Sequence, residues 1–321
     1  MTGKALKVAA VQLRCDPGQR ETNLARAGAL ISRAVAEGAS LVLLPELTPG
    51  GYELTEAIWD SAETISGPSV AWLKSTAARH GIHLGMTFLE ADGQDFFNSF
   101  VVATPQGEIA GRVRKNPPAS AEAYFFRSGN DPHYIDTGIG RLGVCICYEA
   151  LLYERLEEQF THRVDLLLIP MSAGTPTPRF PLRKRDAAAF DANIKGLPAH
   201  HARALGIPVV MANKCGPLVT AMPGALPDQD TSFPGLSAVV DGEGLVRSQL
   251  DAEQGLAVGV VTLDPARKVL VLARSHGRWA LPVPWFSFSY AVAAFIGART
   301  YARNERRVRR AEAIALLERQ G

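Results

Sequence analysis

Residues 5–13 read Ala-Leu-Lys-Val-Ala-Ala-Val-Gln-Leu, and residues 41–47 read Leu-Val-Leu-Leu-Pro-Glu-Leu. Each is a short, mostly apolar run, which is typical of a strand buried in a sheet. Between them, Thr22 can cap a helix that runs to about Glu37, where Gly38 ends it. This order of strand, helix and strand predicts neighbouring strands in a sheet that helices cover.

The same order returns in the second half of the chain, after a predicted hairpin around 104–107, and a second hairpin is predicted around 241–244. No short repeat and no Gly/Ser-rich linker divides the sequence. We therefore predict one α/β domain over residues 1–270, with two packed sheets covered by helices, followed by a C-terminal arm over residues 271–321. The later predicted elements are strands over 141–147, 164–169, 208–213 and 256–263, helices over 150–160 and 185–205, and hairpins around 104–107 and 241–244.

Composition excludes several classes of protein. The chain has 321 residues, of which 47% are apolar and 21% charged, as in ordinary globular proteins. A net charge of +2 gives no general case for binding nucleic acid. Four cysteines are too few for a disulfide scaffold of this length. The first residues lack the pattern of a signal peptide, so we expect a cytoplasmic protein with free thiols.

Three short segments carry polar groups at places where chemistry could occur. Glu46 directly follows an apolar strand, and the carboxyl ends of strands are where open α/β sheets place their sites. Lys115 ends the second strand of a predicted hairpin. Each of these charges, taken alone, is more often a solvated surface group.

The third segment, Gly143–Glu149, places Cys147 where a strand runs into a helix. A thiol at such a junction is expected to be exposed, and the helix dipole would favour its thiolate. The alternative is a buried, inert cysteine. Cys145 and Cys147 are too close in sequence for a Cys-x-x-Cys pair and have no second ligand pair, so we assign Cys145 to core packing.

Together these groups match the needs of amide hydrolysis by a thiol. The reaction needs a base that takes the thiol proton, and positive charge where an oxyanion develops. Glu46, Lys115 and Cys147 can supply the base, the charge and the nucleophile. The sequence has no Gly-x-Ser-x-Gly elbow, and spacing singles out none of the seven histidines as a base or a metal ligand.

In this order, the three segments resemble the nitrilase superfamily, the carbon–nitrogen hydrolases. The resemblance covers roughly residues 5–265 and implies an αββα sandwich that works without metal or cofactor. It also implies that protomers pair through helices beside the site, as a homodimer or a higher oligomer. Supporting matches are Val11-Gln12, Gly51-Tyr52, Phe97-Asn98-Ser99, residues 164–170 and residues 208–213.

The resemblance also implies roles for particular residues. Glu46, Lys115 and Cys147 would be catalytic, and Glu122 would be a second glutamate that holds the lysine or orients the substrate. The Tyr148 N–H would join Lys115 in stabilising the oxyanion. The residues expected to contact the substrate are Tyr52, Tyr148, Ser172 and Ala173.

Two departures from the family pattern bear on the substrate. Asn116-Pro117-Pro118 follows Lys115, where many relatives have x-His-Leu, so we expect a different pocket wall. True nitrilases more often have tryptophan at the position of Tyr148, which favours an amidase or carbamoylase. The expected reaction is hydrolysis of a small amide or N-carbamoyl substrate through a thioester. The alternatives are a nitrilase, an N-acyltransferase that uses the same thioester, and a non-catalytic binding protein.

Two charged or apolar segments remain open to more than one interpretation. The cations at 179 and 183–185 could meet a substrate carboxylate or form a solvated face. Trp279–Ala298 has no charge and precedes six arginines, which is compatible with contact at a membrane surface. Its prolines, Pro282 and Pro284, instead favour an arm packed on the body or on a partner subunit. Arg299–Leu317 predicts a terminal helix.

Overall fold

The computed structural model describes residues 3–320, with side chains to residue 317, so residues 1, 2 and 321 of the two predicted units lie outside the described residues. The described part of the chain forms fourteen strands and six α-helices. The strands are β1 (Lys4–Gln12), β2 (Leu41–Leu43), β3 (His83–Asp92), β4 (Asp95–Ala103), β5 (Ile109–Arg114), β6 (Tyr134–Thr137), β7 (Gly140–Val144), β8 (Leu166–Pro170), β9 (Val209–Ala212), β10 (Cys215–Thr220), β11 (Gln229–Pro234), β12 (Ala238–Val240), β13 (Val246–Gln249) and β14 (Gly255–Leu263). The helices are α1 (Arg20–Ala36), α2 (Pro68–His80), α3 (Tyr153–Thr161), α4 (Lys184–Leu205), α5 (Ser289–Arg303) and α6 (Glu305–Gln320).

Twelve of these strands form two six-stranded sheets. Their spatial orders are β14-β1-β2-β3-β4-β5 and β13-β12-β9-β8-β7-β6, and β10 pairs with β11 separately. The centre of each large sheet is parallel, through β1, β2 and β3 in one and β7, β8 and β9 in the other. The remaining pairs in both sheets are antiparallel.

Alternation along β1 shows how the layers stack. Val8 and Ala10 belong to a core that includes Leu142 of the second sheet, whereas Ala9 and Val11 pack with residues of α1 and α2. Successive side chains of a strand point to opposite faces, so one face of this sheet meets the other sheet and one meets helices. The predicted αββα sandwich is therefore confirmed.

The structure shifts the predicted elements around the cysteine segment. The strand predicted over 141–147 ends at Val144, and the helix predicted from Ala150 begins at Tyr153. A 3-10 segment, Cys147–Leu151, lies between them. The reason is local: Cys147 has φ of +54°, a left-handed conformation that neither a strand nor an α-helix accommodates.

The C-terminal arm crosses the body from one sheet to the other. Near its start, the Ala280 N–H donates to the Leu151 carbonyl over 2.9 Å. Further on, α5 lies against the 3-10 segment Ser120–Tyr124. The approach is so close that a Cβ on Gly297 would lie 2.6 Å from the Tyr124 ring. The Tyr301 hydroxyl then accepts from the Phe96 N–H over 2.8 Å. The arm is thus packed on the body of the same chain.

The predicted terminal helix over Arg299–Leu317 is wrong as a single element. Asn304, with φ of −83° and ψ of +97°, separates α5 from α6. The helix before it begins only at Ser289, after the residues around Pro282 and Pro284 that cannot continue an α-helix. Of the helices in residues 3–320, none combines the length and the apolar character that a bilayer crossing requires.

Candidate active site

The site lies where strand ends from both sheets meet. Glu46 follows β2, Cys147 follows β7 and Ser172 follows β8, while Lys115 directly follows β5. Two hydrogen bonds join the sheets at this edge. The Glu46 N–H donates to the Met171 carbonyl over 3.1 Å, and the Ser172 hydroxyl donates to the Glu46 carbonyl over 3.1 Å. The carboxyl ends of the parallel strands β2, β7 and β8, and of β5, which runs in the same direction as β3, therefore assemble the predicted groups.

Three predicted charges form one buried cluster. The Lys115 ammonium lies 2.6 Å from Glu46 Oε1 and 2.7 Å from Glu122 Oε2. The side chains of Glu46 and Glu122 are fully buried and that of Lys115 is 1% exposed. The interpretation of Glu46 and Lys115 as solvated surface charges is wrong, because both side chains are buried and paired with each other.

The cluster fixes the charge of Lys115. Burial alone would lower the pKa of its ammonium, but the carboxylates of Glu122 and Glu46 outweigh burial and hold this pKa above its ordinary value. Burial raises the pKa of Glu122, with Lys115 opposing and Glu46 adding to the rise. Lys115 is consequently a permanent cation between two acidic groups.

Cys147 is buried, and the expectation of an exposed thiolate is wrong. Its side chain is 8% exposed, and its pKa lies well above the ordinary value of a thiol. Burial is the main cause, and the nearby Glu46 carboxylate adds to it, whereas Lys115 opposes it. The segment that follows is a five-residue 3-10 turn, which supplies a smaller dipole than an α-helix. The resting group is therefore a thiol that needs a base.

Glu46 has one carboxylate oxygen available for that proton. Its Oε1 accepts from Lys115 and also from the Asn98 amide, over 2.8 Å. Its Oε2 is buried and accepts no hydrogen bond from any described residue. A buried carboxylate oxygen without a hydrogen-bond partner, on a residue near enough to affect the pKa of the thiol, is suited to general-base chemistry.

Backbone conformation is strained at Cys147 and at the residue that follows Glu46. Cys147 and Leu47, the residue after Glu46, have φ of +54° and +48°. For a residue other than glycine, such a conformation costs about 1–3 kcal/mol and persists only where the surroundings enforce it. Both catalytic candidates are therefore presented by turns that the fold holds in place.

Glu149 is a buried residue whose role the sequence did not reveal. Its carboxylate accepts from the Ile146 N–H over 2.6 Å, from the Asn116 N–H over 2.5 Å and from His133 Nε2 over 2.7 Å. Burial would raise its pKa, but His133, Arg155 and the Asn116 N–H hold the pKa below its ordinary value. Glu149 thus connects the turn that carries Cys147 (the cysteine turn) to Asn116, the residue after Lys115, and holds Cys147 and Lys115 at a fixed separation.

Lys214 is a second cation that the sequence did not suggest. It follows β9, is fully buried, and lies 5.6 Å and 5.8 Å from the rings of Tyr52 and Phe233. Its ammonium donates to the Leu47 carbonyl over 3.5 Å. Burial lowers its pKa. Lys214 thus lies against the Tyr52 ring, and its hydrogen bond stabilises the strained turn at Leu47.

A cavity of about 460 Å³ opens beside the cysteine. It is lined by Cys147 and Glu122 and by all the residues expected to contact substrate, which are Tyr52, Tyr148, Ser172 and Ala173. The Tyr52 hydroxyl donates to Glu122 Oε1 over 2.9 Å. The Tyr148 hydroxyl is buried with no hydrogen-bond partner among described residues, so it is available to a ligand.

The remaining predicted groups lie outside this cluster. Cys145 is fully buried in the core between the sheets, as predicted. Arg179 is exposed at the cavity mouth, and the cations at 183–185 are exposed and do not line it, so the solvated face is confirmed for these three. Within residues 3–317, no group of three or more His, Cys, Asp or Glu side chains is placed to hold a metal ion.

Comparison with known proteins agrees with this arrangement. A sequence model of the family described as "Carbon-nitrogen hydrolase" matches residues 7–269. A nitrilase of Pyrococcus abyssi is 32% identical over 175 residues, which are 53% of this chain and 66% of the relative. An N-carbamoylputrescine amidase of Solanum lycopersicum is 25% identical over 284 residues, which are 85% and 90%. The crystal structure of a carbon–nitrogen hydrolase from Helicobacter pylori G27 has a TM-score of 0.72 at 21% identity, covering 81% of this chain and 89% of that one. This last likeness shows the fold.

Proposed function

This chain belongs to the carbon–nitrogen hydrolase family of the nitrilase superfamily, and on that premise we propose that it hydrolyses an amide or N-carbamoyl substrate with Cys147 as nucleophile. The observation that carries the proposal is the buried cluster beside the cavity. Lys115 bridges Glu46 and Glu122 over 2.6 Å and 2.7 Å, and the charges of all three residues influence the pKa of the Cys147 thiol.

In the proposed first step, Glu46 Oε2 takes the thiol proton as Cys147 attacks the substrate carbonyl carbon. Because burial raises the pKa of the thiol, we propose that proton transfer and attack are coupled. Negative charge moves to the carbonyl oxygen, where Lys115 and the Tyr148 N–H would stabilise it. The leaving nitrogen then takes the proton from Glu46 and departs as ammonia or an amine, which leaves a thioester on Cys147.

In the second step, water replaces the amine. Glu46 takes a proton from a water molecule while the water oxygen attacks the thioester carbon. Glu46 then gives this proton to the Cys147 sulfur, which restores the thiol as the acid product leaves. Glu122 acts through Lys115. Its carboxylate accepts a hydrogen bond from the Lys115 ammonium, which keeps the lysine charged and in place. The Tyr52 hydroxyl holds Glu122 in turn.

Other parts of the proposal depend on regions beyond the cluster. The family match ends at residue 269, which supports a hydrolase domain over residues 1–270 and a separate arm. Pairing of protomers, a cytoplasmic location and membrane contact through Trp279–Ala298 stay predictions.

The proposed chemistry can be tested with three compounds that share a pentyl group: hexanamide, pentylurea and hexanenitrile. We expect hexanamide to release ammonia and hexanoic acid at least about tenfold faster than the nitrile, because the cysteine turn carries Tyr148 and the cluster is arranged to stabilise a carbonyl oxyanion. Ammonia release and mass spectrometry of the products measure this. Faster release from the nitrile would identify a nitrilase instead.

The same assay separates hydrolysis from acyl transfer. With pentylamine added, a hydrolase continues to give hexanoic acid, whereas an acyltransferase gives N-pentylhexanamide. Absence of any product from all three compounds, in protein that is folded by circular dichroism, would contradict the proposed activity and favour a non-catalytic binding protein.

A further inference from the structure

We infer that the C-terminal arm makes this site selective for amides with a long apolar acyl group, an inference that rests on the proposed function. The arm segment Trp285–Tyr290 forms one wall of the cavity that contains Cys147. A cavity of about 460 Å³ is within the roughly 300–1,000 Å³ typical of ligand sites, and far larger than an acetamide molecule needs.

The wall is part of the folded body. Phe286 is 6% exposed, and its ring lies 6.2 Å from that of Phe190 on α4. The ring of Tyr290 lies 5.5 Å from that of Tyr148, the residue after the nucleophile, and burial raises the pKa of its hydroxyl. The hydrogen bond of Ala280 to Leu151 and the close packing of Gly297 on Tyr124 fix the segment at both ends.

The body side of the cavity is apolar as well. Leu151, Met171, Ile194 and Leu218 line it, together with Phe190. Burying apolar surface against such walls contributes about 25 cal/mol per Å², or roughly 0.8 kcal/mol for each methylene. A substrate chain that extends from Cys147 along these residues would therefore gain binding energy with every carbon.

Charge on the substrate would find few partners here. Among the described residues that line the cavity, only Glu122 and Arg179 are charged. Glu122 already accepts from Lys115 and Tyr52, and Arg179 lies exposed at the mouth. A carboxylate or ammonium held deep in the cavity would lose its hydration without compensation, which disfavours it strongly.

The mouth of the cavity is also apolar on its outside. Phe180 is 94% exposed, Phe288 63% and Trp285 51%, and all three line the opening. Exposed aromatic side chains are rarely grouped in this way on protein surfaces. Beside a cavity, such a group fits the entrance of a binding site for apolar ligands. The opening and the walls thus select the same kind of acyl group.

The test is the dependence of kcat/KM on chain length. Acetamide, butyramide, hexanamide and octanamide are assayed for ammonia release with the full-length chain, below the concentrations at which octanamide aggregates. We expect kcat/KM to rise by up to about fourfold for each added methylene, and by at least about 100-fold over the six methylenes that separate acetamide from octanamide. Glutaramate, which replaces the end methyl of pentanamide with a carboxylate, should be at least about 30-fold poorer than pentanamide.

Variants connect this selectivity to the arm. Trp285→Ala and Tyr290→Ala should each lower the ratio of the octanamide to the acetamide kcat/KM by about tenfold, because each removes part of the wall. Phe295→Ala is the matched control: Phe295 is an aromatic residue on α5, 58% exposed and outside the cavity lining, so the ratio should not change. Because Trp285 is half exposed, Trp285→Ala should fold even if Tyr290→Ala does not, and it then tests the role of the wall alone.

The outcomes separate this inference from the proposed function. Clear turnover of amides with a kcat/KM that does not rise from acetamide to octanamide would overturn the selectivity and leave the proposed hydrolase intact. An unchanged ratio in Trp285→Ala, or an equal loss of the ratio in Phe295→Ala and Trp285→Ala, would overturn the role of Trp285–Tyr290 as the selective wall of the cavity. Absence of turnover for every amide, in folded protein, would overturn both.

Discussion

Cys147→Ala is expected to lower kcat for hexanamide hydrolysis by at least about 10⁴-fold, because Cys147 carries the only thiol among the described residues that line the cavity. Cys147 lines the cavity, lies beside the cluster of Glu46 and Lys115, and is held by a strained turn. Removing one sulfur from a side chain that is only 8% exposed leaves the charged cluster intact, so the variant should fold. Ammonia release at saturating substrate gives kcat, and circular dichroism checks folding.

The matched control for this variant is Cys145→Ala, two residues earlier in the same segment. Cys145 is fully buried between the sheets and does not line the cavity. Its replacement should leave kcat within about threefold and lower the melting temperature slightly, as expected for a small core truncation. A catalytic loss in Cys145→Ala with activity preserved in Cys147→Ala would contradict the nucleophile assignment.

Lys115→Met should impair both catalysis and folding. It removes the cation that we propose stabilises the oxyanion, so we expect kcat/KM to fall by about 10³-fold. It also leaves Glu46 and Glu122 buried without their shared partner, and breaking a buried ion pair in this way typically costs about 3–5 kcal/mol of unfolding free energy. Hexanamide kinetics and urea denaturation measure the two effects.

The stability loss in Lys115→Met should depend on pH in a defined direction. The pKa of Glu122 in the folded chain is already above its ordinary value, so the folded state binds that proton more tightly than the unfolded state does. Without the lysine, this difference increases, and protonation relieves the buried charge. The deficit relative to the unaltered protein should therefore shrink as pH falls from about 8 to about 5.

Arg114→Met provides the control for loss of a buried cation that takes no part in catalysis. Arg114 precedes Lys115, pairs with Glu90 over 2.9 Å and lies 3.9 Å from the centre of the Phe97 ring. Its loss should also reduce stability, but kcat/KM should stay within about threefold. If Lys115→Met retained kcat/KM within tenfold of the unaltered protein, Lys115 could not be the oxyanion stabiliser.

The positions of Glu46, Lys115 and Cys147 could be predicted because each follows a strand that the sequence marks clearly. Parallel strands place their carboxyl ends at one edge, so residues far apart in sequence converge there. The placement of Glu122 came from family resemblance, since nothing in the loop after Lys115 predicts that its side chain turns inward.

Other features depend on contacts that no local pattern encodes. The Glu149 carboxylate accepts hydrogen bonds from Asn116 and His133, which belong to separate elements, and neither partner can be identified from sequence spacing. The raised pKa of Cys147 follows from burial and from carboxylates on distant strands, whereas the sequence shows only a strand and a helix. The path of the arm is set by Leu151 and Tyr124, so the entry of Tyr290 into the cavity could not be foreseen.

The most direct measurement of the central claim is the rate and position of alkylation by iodoacetamide. The claim is that Glu46, Lys115 and Cys147 act as one unit around a protonated thiol. We predict one label per chain on Cys147, located by fragmentation of the tryptic peptide 142–155, and labelling at least about 100-fold slower in Glu46→Gln, which lacks the base. A label on Cys145, or equal rates in the two proteins, would contradict the claim.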